Sequence, residues 1–244
     1  TGVAFFSVWR EAMEYFSQAF GEAVRLLLSM DPELYSIIGL SLGVTFSALI
    51  LAAVAGIPLG VFIALRRFPA KSVVVNIINT LMSIPPVVVG LIVYILLSNQ
   101  TGLVGERRLL FTPFAMVLAQ FMLAVPLMAG LTYNALKNVD PLIAKSARSL
   151  GAKPSQVAAA MVKEARFSIY TSFIVVFGRL IAEVGAVMMV GGNIRYNTRV
   201  MTTAIAMNKG MGEFQLALAL GVILLMISFL INGVIEIIRN YGRV

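Results

Sequence analysis

The sequence contains no cysteine and no histidine among its 244 residues. Their absence excludes disulfides, thiolate nucleophiles, iron–sulfur clusters and imidazole acid–base catalysis, and it removes the usual ligands of zinc. No Gly-x-x-x-x-Gly-Lys-Ser/Thr motif occurs, so the chain has no phosphate-binding loop for ATP. We therefore expect a protein that is not an enzyme and that holds no cofactor or metal of its own.

Charge is also scarce, since only 12% of the residues are charged and 59% are hydrophobic. Soluble domains carry about 25% charged residues, which keep their surfaces hydrated. In so apolar a chain, the net charge of +8 indicates an unequal distribution across a membrane rather than a nucleic-acid partner. The composition predicts an all-α membrane protein in contact with lipid.

Five apolar stretches are long enough to cross a bilayer core of about 30 Å, which needs about 20 helical residues. Four of them carry no charge, and the other contains only Arg179 and Glu183. The first is longer than the membrane core and predicts a tilt, or a break at Pro58. The predicted spans are Leu34–Leu65, Ser72–Thr101, Leu109–Leu136, Phe167–Val190 and Phe214–Ile235, within a transmembrane domain of residues 34–239.

Residues 1–33 have a helical pattern of another kind, in which charged residues interrupt the apolar ones every few positions. Such an amphipathic helix is too polar to span, so we expect it in the membrane interface or packed along the spans, with a sixth span as the alternative. Its apolar residues are Phe5, Trp9, Met13, Phe16, Phe20, Val24 and Leu27.

Five spans place the termini on opposite sides of the membrane, and the Lys and Arg residues decide the orientation. With the N-terminus outside, the outer segments are neutral overall and the net charge of +8 falls on the cytoplasmic side. We predict a multi-pass protein of the cytoplasmic (inner) membrane whose tail, residues 240–244, lies in the cytoplasm.

Small residues repeat every four positions along the first span, in two successive runs that begin at Gly39 and at Ala48. Such stripes allow close helix packing, either within the chain or at the seam of a homodimer. The stripe comprises Gly39, Gly43, Ala48, Ala52, Gly56, Gly60 and Ala64.

Pro85 and Pro86 interrupt the second predicted span near its middle. Each proline removes a backbone donor, and unwound backbone at membrane depth is tolerated only inside protein or beside a water-filled cavity. The break is either a packing kink or part of a permeation pathway lined near Thr80 and Ser83.

Arg179 and Glu183 are four residues apart in the fourth predicted span, where an i, i+4 ion pair would lower the cost of burying both charges. The pair is either structural, facing the helix bundle, or part of a gate or subunit contact. The outer loop over residues 191–212, with Arg195, Arg199 and Lys209, is a candidate contact for a binding protein or for an arriving anion, or a solvated re-entrant connection.

The longest cytoplasmic connection covers residues 137–166. Asp140 is a good N-cap before Pro141, and Gly151 can end the short helix, so a second helix follows Pro154. An apolar stripe beside basic residues predicts a hairpin that a soluble partner could bind, as opposed to a plain connector. The stripe comprises Ile143, Ala147 and Leu150, beside Lys145 and Arg148.

This hairpin resembles the EAA loop of permease subunits of ATP-binding-cassette (ABC) importers. Lys145, Ser146, Ala147 and Gly151 align with its Glu, Ala, Ala and Gly, although two of the first three differ. Segments 79–91, 109–120, 178–194 and 198–205 resemble tungstate permeases more specifically. They share Pro-Pro and Glu-x-Gly-Ala, the latter with Glu183 and Gly185, with molybdate and sulfate permeases, whereas the Gly-Gly-Asn-Ile around Asn193 favours tungstate.

The resemblance implies the type I ABC importer (MetI-like) fold and an oxyanion importer, most specifically for tungstate. It implies two copies of this chain, two cytosolic ATPases that bind ATP and Mg, and an extracytoplasmic binding protein. The coupling hairpin around Lys145 to Pro154 would switch the pathway between outward and inward access. The alternatives are a permease for molybdate, sulfate or another oxyanion, or an ATP-independent carrier or channel, which would predict inverted repeats and more intramembrane ionisable groups.

Overall fold

The computed structural model describes residue 13 and residues 17–66, 68–98 and 109–241, with the backbone alone for 238–241. Phe5, Trp9 and Phe16 of the predicted amphipathic helix, and most of the predicted tail, lie outside the described residues. The helices are α1 over residues 17–28, α2 Pro32–Leu65, α3 Lys71–Met82, α4 Pro86–Leu97, α5 Pro113–Lys137, α6 Pro141–Ser149, α7 Pro154–Ile181, α8 Gly185–Gly191, α9 Met201–Met211 and α10 Phe214–Tyr241. All regular structure in these described ranges is helical, which confirms the predicted class.

Five of these helices begin with proline, which suits the first helical turn because its missing N–H would have no partner there. In two of those that are long enough to cross a membrane, α2 and α5, a side chain also caps the N-terminus. Asp31 accepts the N–H groups of Glu33 (2.7 Å) and Leu34 (3.3 Å), and the Thr112 hydroxyl accepts that of Ala115 (3.4 Å). The five are α2, α4, α5, α6 and α7.

By length and hydropathy, α2, α5 and α10 could each cross a membrane. Two bent pairs would bring the number of spans to five if each pair is one span: α3 with α4, at an angle of 94°, and α7 with α8, at 55°. This agrees with the five predicted apolar stretches. Of the two interpretations of the first span, the break at Pro58 is not found, because α2 is continuous there. One detail differs from the prediction: α7 continues from Pro154 to Ile181, so the second helix of the hairpin and the fourth predicted span belong to one helix.

The small-residue stripe of α2 packs against α5 within the chain. Ala48, Ala52, Gly56 and Gly60 are buried there, whereas nothing in the structure lies within 4 Å of the position a Cβ would take at Gly43. At Gly60, that position is 2.6 Å from the carbonyl oxygen of Ala129. The part of the stripe from Ala48 to Gly60 is therefore a contact within the chain, which was the first of the two interpretations.

Replacing Gly60 by alanine should destabilise the protein, because the new methyl group would force α2 away from the backbone of α5. Overpacking of this kind costs about 1–3 kcal/mol. Gly43→Ala is the matched control: it adds the same methyl group to the same helix in open space and should leave the melting temperature unchanged or slightly raised. Equal melting temperatures for the two variants in detergent would contradict the α2–α5 contact.

The described part of α1 packs along the bundle through its small residues. Ala19 and Ala23 are fully buried, and Ala23 contacts a cluster formed by α2, α9 and α10. The Gln215 side chain of α10 donates a hydrogen bond to Gln18 at 2.9 Å. Phe20, one of the large apolar residues, is instead exposed. Leu27 also packs against this cluster, so the described segment lies along the spans, with Phe20 facing outward.

Candidate translocation and docking sites

The Pro-Pro segment separates α3 from α4 as a sharp bend. The chain leaves the helix at Ser83, and the N–H groups of Ser83 and Ile84 donate to the carbonyls of Thr80 (3.1 Å) and Leu81 (3.3 Å) in a tight final turn. Pro85 then adopts an extended conformation before Pro86 starts α4. The predicted interruption is therefore present, at an angle of 94°.

Polar side chains line the exposed side of α3 beside this bend. The hydroxyl of Thr80 donates to the carbonyl of Asn76 (2.9 Å), and that of Ser83 donates to the carbonyl of Asn79 (3.4 Å). All four residues are exposed. The hydroxyls keep their lone pairs free, so the surface is polar but holds no fixed charge. A role in permeation remains a prediction.

The second break, between α7 and α8, changes the interpretation of Arg179 and Glu183. Helix α7 ends at Ile181, so the two side chains do not occupy successive turns of one helix. Arg179 is exposed, and Glu183, with 8% of its surface exposed, accepts the N–H of Ala186 at 3.0 Å instead. The predicted ion pair is not formed, because the carboxylate is used to cap the next helix.

The helices that follow the two breaks, α4 and α8, are in close contact at two glycines. A Cβ at Gly185, the first residue of α8, would lie 2.7 Å from Val87 Cγ2 in the first turn of α4. A Cβ at Gly90 would lie 2.8 Å from the Cα of Ala186. Helices α4 and α8 therefore touch almost backbone to backbone, and Gly185 lies against Val87, the residue that follows Pro86.

The hairpin that was predicted to be cytoplasmic forms with the predicted caps. Asp140 accepts the N–H of Leu142 at 2.8 Å, with Pro141 as the first residue of α6. Gly151 has φ +79°, and its N–H donates to the carbonyl of Arg148 (3.0 Å), while the N–H of Ala152 reaches the carbonyl of Ala147 (3.0 Å). These two bonds are the pattern of a glycine-terminated helix.

The exposed face of α6 differs from the predicted stripe. Ile143 and Ala147 pack inward against a cluster formed mainly by α5 and α7, and so they are not available to a partner. Leu150 is 87% exposed and Leu142 is 61% exposed. Lys145, Ser146 and Arg148 are exposed as well. The exposed surface of α6 therefore includes two leucines, with a serine and two cations between them.

The outer loop between α8 and α9 is tied to the start of α2 by charge. Glu33 accepts hydrogen bonds from Arg195 and from Arg199, the latter at 2.9 Å. The Arg199 side chain is only 17% exposed, whereas that of Arg195 is 60% exposed. The hydrogen bond and charge of Glu33 raise the pKa of Arg195 above its ordinary value, so this cation keeps its charge.

Asn193 is also held by the fold, in a left-handed conformation with φ +53°. Its amide group donates to the sulfur of Met207 at 3.3 Å. Of Asn193, Arg195 and Arg199, Arg195 is therefore the one with an exposed side chain, and it lies over the ring of the exposed Tyr196.

Replacing Glu33 by glutamine should loosen this loop, because one carboxylate holds both arginines. We expect faster amide hydrogen exchange over residues 193–200. Glu22→Gln is the control, because it removes a carboxylate whose ion pair with Arg25, at 3.7 Å, is well exposed. Unchanged exchange in Glu33→Gln would show that backbone contacts alone hold the loop.

Sequence reasoning missed Glu33, Gly90 and Leu142. The partners of Glu33 lie more than 160 positions away, so no local pattern reveals them. Gly90 had a usable signal, since a glycine inside an apolar helix often marks a close helix approach. Leu142 could have been found from helical spacing, because it lies on the same side of α6 as Ser146 and Leu150.

A family model described as "Binding-protein-dependent transport system inner membrane component" matches residues 56–240. This chain belongs to that family of transport permeases. The permease is 46% identical over 223 residues to the tungstate uptake system permease protein TupB of Peptoclostridium acidaminophilum, covering 91% of this chain and 97% of that protein. It is 36% identical to the TupB of Campylobacter jejuni, covering 90% and 92%.

The fold of the permease also matches a solved structure. The inward-facing MetNI methionine ABC transporter aligns with a TM-score of 0.72 and 20% identity, covering 87% of this chain and 97% of that chain. The predicted MetI-like fold is thereby confirmed. The family also confirms a multi-pass membrane permease that is a transport subunit rather than a catalyst.

Proposed function

We propose that this permease forms the membrane pathway of an ATP-driven importer for a tetrahedral oxyanion, and that the oxyanion is tungstate. The observation that carries the proposal is the 46% identity to a tungstate uptake permease over nearly the full length of both chains. A second tungstate permease, from a different organism, is matched over a similar share of the chain.

The surface beside the Pro-Pro bend supports a path for an oxyanion. Thr80 and Ser83 offer hydroxyl groups, and no described residue of α3 beyond its first, Lys71, carries a charge. A dianion crossing the membrane needs polar partners, but fixed cations would bind it tightly and slow its release. In the structure each hydroxyl proton is donated to a main-chain carbonyl, so the hydroxyl would have to turn to donate to the anion. Such a contact would be weak enough to permit release, and selectivity would lie with an extracytoplasmic binding protein rather than with the pathway.

The same surface supports pairing with a second copy of the permease. Helices α3 and α4 expose large apolar side chains beside the polar ones. In a homodimer these apolar residues would pack across the interface, and the hydroxyls would line a path between the two copies. The exposed apolar residues include Val73, Ile77, Leu81, Val87, Val88 and Leu91.

The cytoplasmic hairpin supports coupling to two ATPase subunits, which would bind ATP and Mg. Leu142 and Leu150 project from a helix that is capped at both ends, so the surface is rigid. A groove in a partner could hold these two leucines, with the exposed cations at its rim. This arrangement requires a cytoplasmic C-terminus and an N-terminus on the outside, which is the orientation that the cation distribution favours.

Reconstituted transport tests the proposal. The permease would be placed in vesicles with its ATPase and binding protein, and uptake of labelled tungstate would be compared with that of molybdate, sulfate and phosphate. We expect vanadate-sensitive uptake that requires ATP and prefers tungstate. Stronger uptake of another oxyanion would overturn the substrate, and uptake without the ATPase would overturn the coupling in favour of a secondary carrier.

A further inference from the structure

A small internal pocket lies at the break between α7 and α8, lined by polar groups from several helices. Its polar members are Ser41 and Thr45 of α2, Gln120 of α5, Glu183 of the break and Thr202 of α9. All five are buried. The pocket has room for roughly one water-sized particle. Neither the oxyanion pathway nor the docking surface uses these groups.

Glu183 brings a negative charge to this pocket without a matching cation. No lysine or arginine of the described residues lies within ion-pairing distance of its carboxylate, and Arg179 is exposed. The one hydrogen bond to this carboxylate comes from the N–H of Ala186. A buried carboxylate with a single neutral donor is costly, and more so at membrane depth.

Gln120 adds an acceptor that has no donor. Its amide nitrogen donates to the carbonyl of Leu180 at 3.1 Å, and because a carbonyl can only accept, this bond fixes the orientation of the amide. The amide oxygen is then buried without a hydrogen-bond partner, and the residue is only 3% exposed. The hydroxyl of Thr45, 2% exposed, makes no hydrogen bond to the described protein either.

The other polar groups leave the pocket rich in acceptors. The Ser41 hydroxyl donates to the carbonyl of Ile37 (2.6 Å), and that of Thr202 donates to the carbonyl of Glu183 (2.8 Å), so both protons face away from the pocket. Two helix ends meet at the pocket: α7 ends there at Ile181 with the negative end of its dipole, and α9 begins there at Met201, whose N–H is already accepted by the Ser41 hydroxyl (2.9 Å). Broken helix ends of this kind coordinate small cations in other membrane proteins.

We propose that this pocket binds one small monovalent cation, Na⁺, between the carboxylate of Glu183, the amide oxygen of Gln120 and the hydroxyl of Thr45. One positive charge balances the single carboxylate. A divalent ion would normally require more charged oxygen ligands, and an anion would be repelled. The cation joins α2 and α5 to the break between α7 and α8, and so stabilises the bent pair. It is structural, and it does not depend on which substrate the permease carries.

Thermal unfolding of the purified permease in detergent tests this site. The melting temperature would be measured in NaCl and in choline chloride at equal ionic strength, with Na⁺ titrated at constant total salt. We expect the melting temperature to rise with Na⁺ and then to level off, by about 5 °C or more at 100-fold excess over Kd. Equal melting temperatures in the two salts would overturn the proposal and leave water as the occupant.

Variants of the pocket residues test whether the rise in melting temperature with Na⁺ comes from binding in this pocket. Glu183→Gln should abolish the increment due to Na⁺, and Thr45→Val should weaken it. Thr132→Val is the matched control, because Thr132 is another fully buried threonine with an unpartnered hydroxyl but does not line the pocket. It should keep the full increment. An increment that survives in both Glu183→Gln and Thr45→Val would overturn the assignment, and Thr45→Val still tests it if the glutamine variant does not fold.

Discussion

Replacing Leu150 by glutamate is expected to abolish ATP-driven uptake while leaving the permease folded. The side chain is 87% exposed at the end of α6, so the structure loses almost no internal packing. In an ATPase groove the same leucine would be buried, and loss of a central apolar contact costs about 2 kcal/mol or more, roughly 30-fold in affinity. The measurements are vanadate-sensitive uptake and co-purification of the ATPase.

Leu28→Glu is the control for this variant. Leu28 is 77% exposed at the end of α1, which packs against the start of α2, whereas the hairpin packs against the end of α2. The substitution adds the same charge at a similar exposure. It should leave ATPase binding unchanged. If Leu150→Glu binds the ATPase and transports normally, α6 is a solvent-exposed connector and the docking surface lies elsewhere.

The hairpin illustrates which features a sequence predicts well. Its ends depend on local chemistry: an aspartate before a proline begins α6, and a glycine with positive φ ends it. Its exposed face depends on which side packs against α7, and two apolar residues on opposite sides look alike in sequence. Ile143 was therefore predicted as exposed when it is packed inward, and Leu142 was missed.

In the membrane helices, too, local features were predictable from the sequence and features that depend on packing were not. Apolar length predicted five spans, but it could not predict that α2 would continue through Pro58, since neighbouring helices can compensate for a missing backbone bond. The spacing of Arg179 and Glu183 predicted an ion pair only on the assumption of a continuous helix. The break at Ala182 removes that geometry, and the N–H of Ala186 becomes the partner of the carboxylate.

Replacing Gly90 by alanine should impair both stability and transport, because α4 and α8 are in close contact there. The new methyl group would lie 2.8 Å from the Cα of Ala186 and 3.2 Å from its carbonyl oxygen, and backbone atoms cannot rotate away. Helix α4 must then shift, at a cost of about 1–3 kcal/mol. We expect a lower melting temperature and a loss of uptake. Gly178→Ala, which adds its methyl group in open space on α7, should do neither.

A second-site rescue separates this contact from a general loss of stability. In Gly185→Ala the obstructing atom would belong to a side chain, Val87 Cγ2, at 2.7 Å, whereas the nearest backbone atom, the nitrogen of Val87, lies at an ordinary contact distance of 3.7 Å. Valine is stiff within a helix, so the single variant should be impaired. Adding Val87→Ala removes the obstructing atom and should restore both the melting temperature and uptake, whereas it should not restore Gly90→Ala, whose obstacle is backbone. If Val87→Ala rescues neither variant, or both equally, the two helix breaks do not meet through the contacts described above.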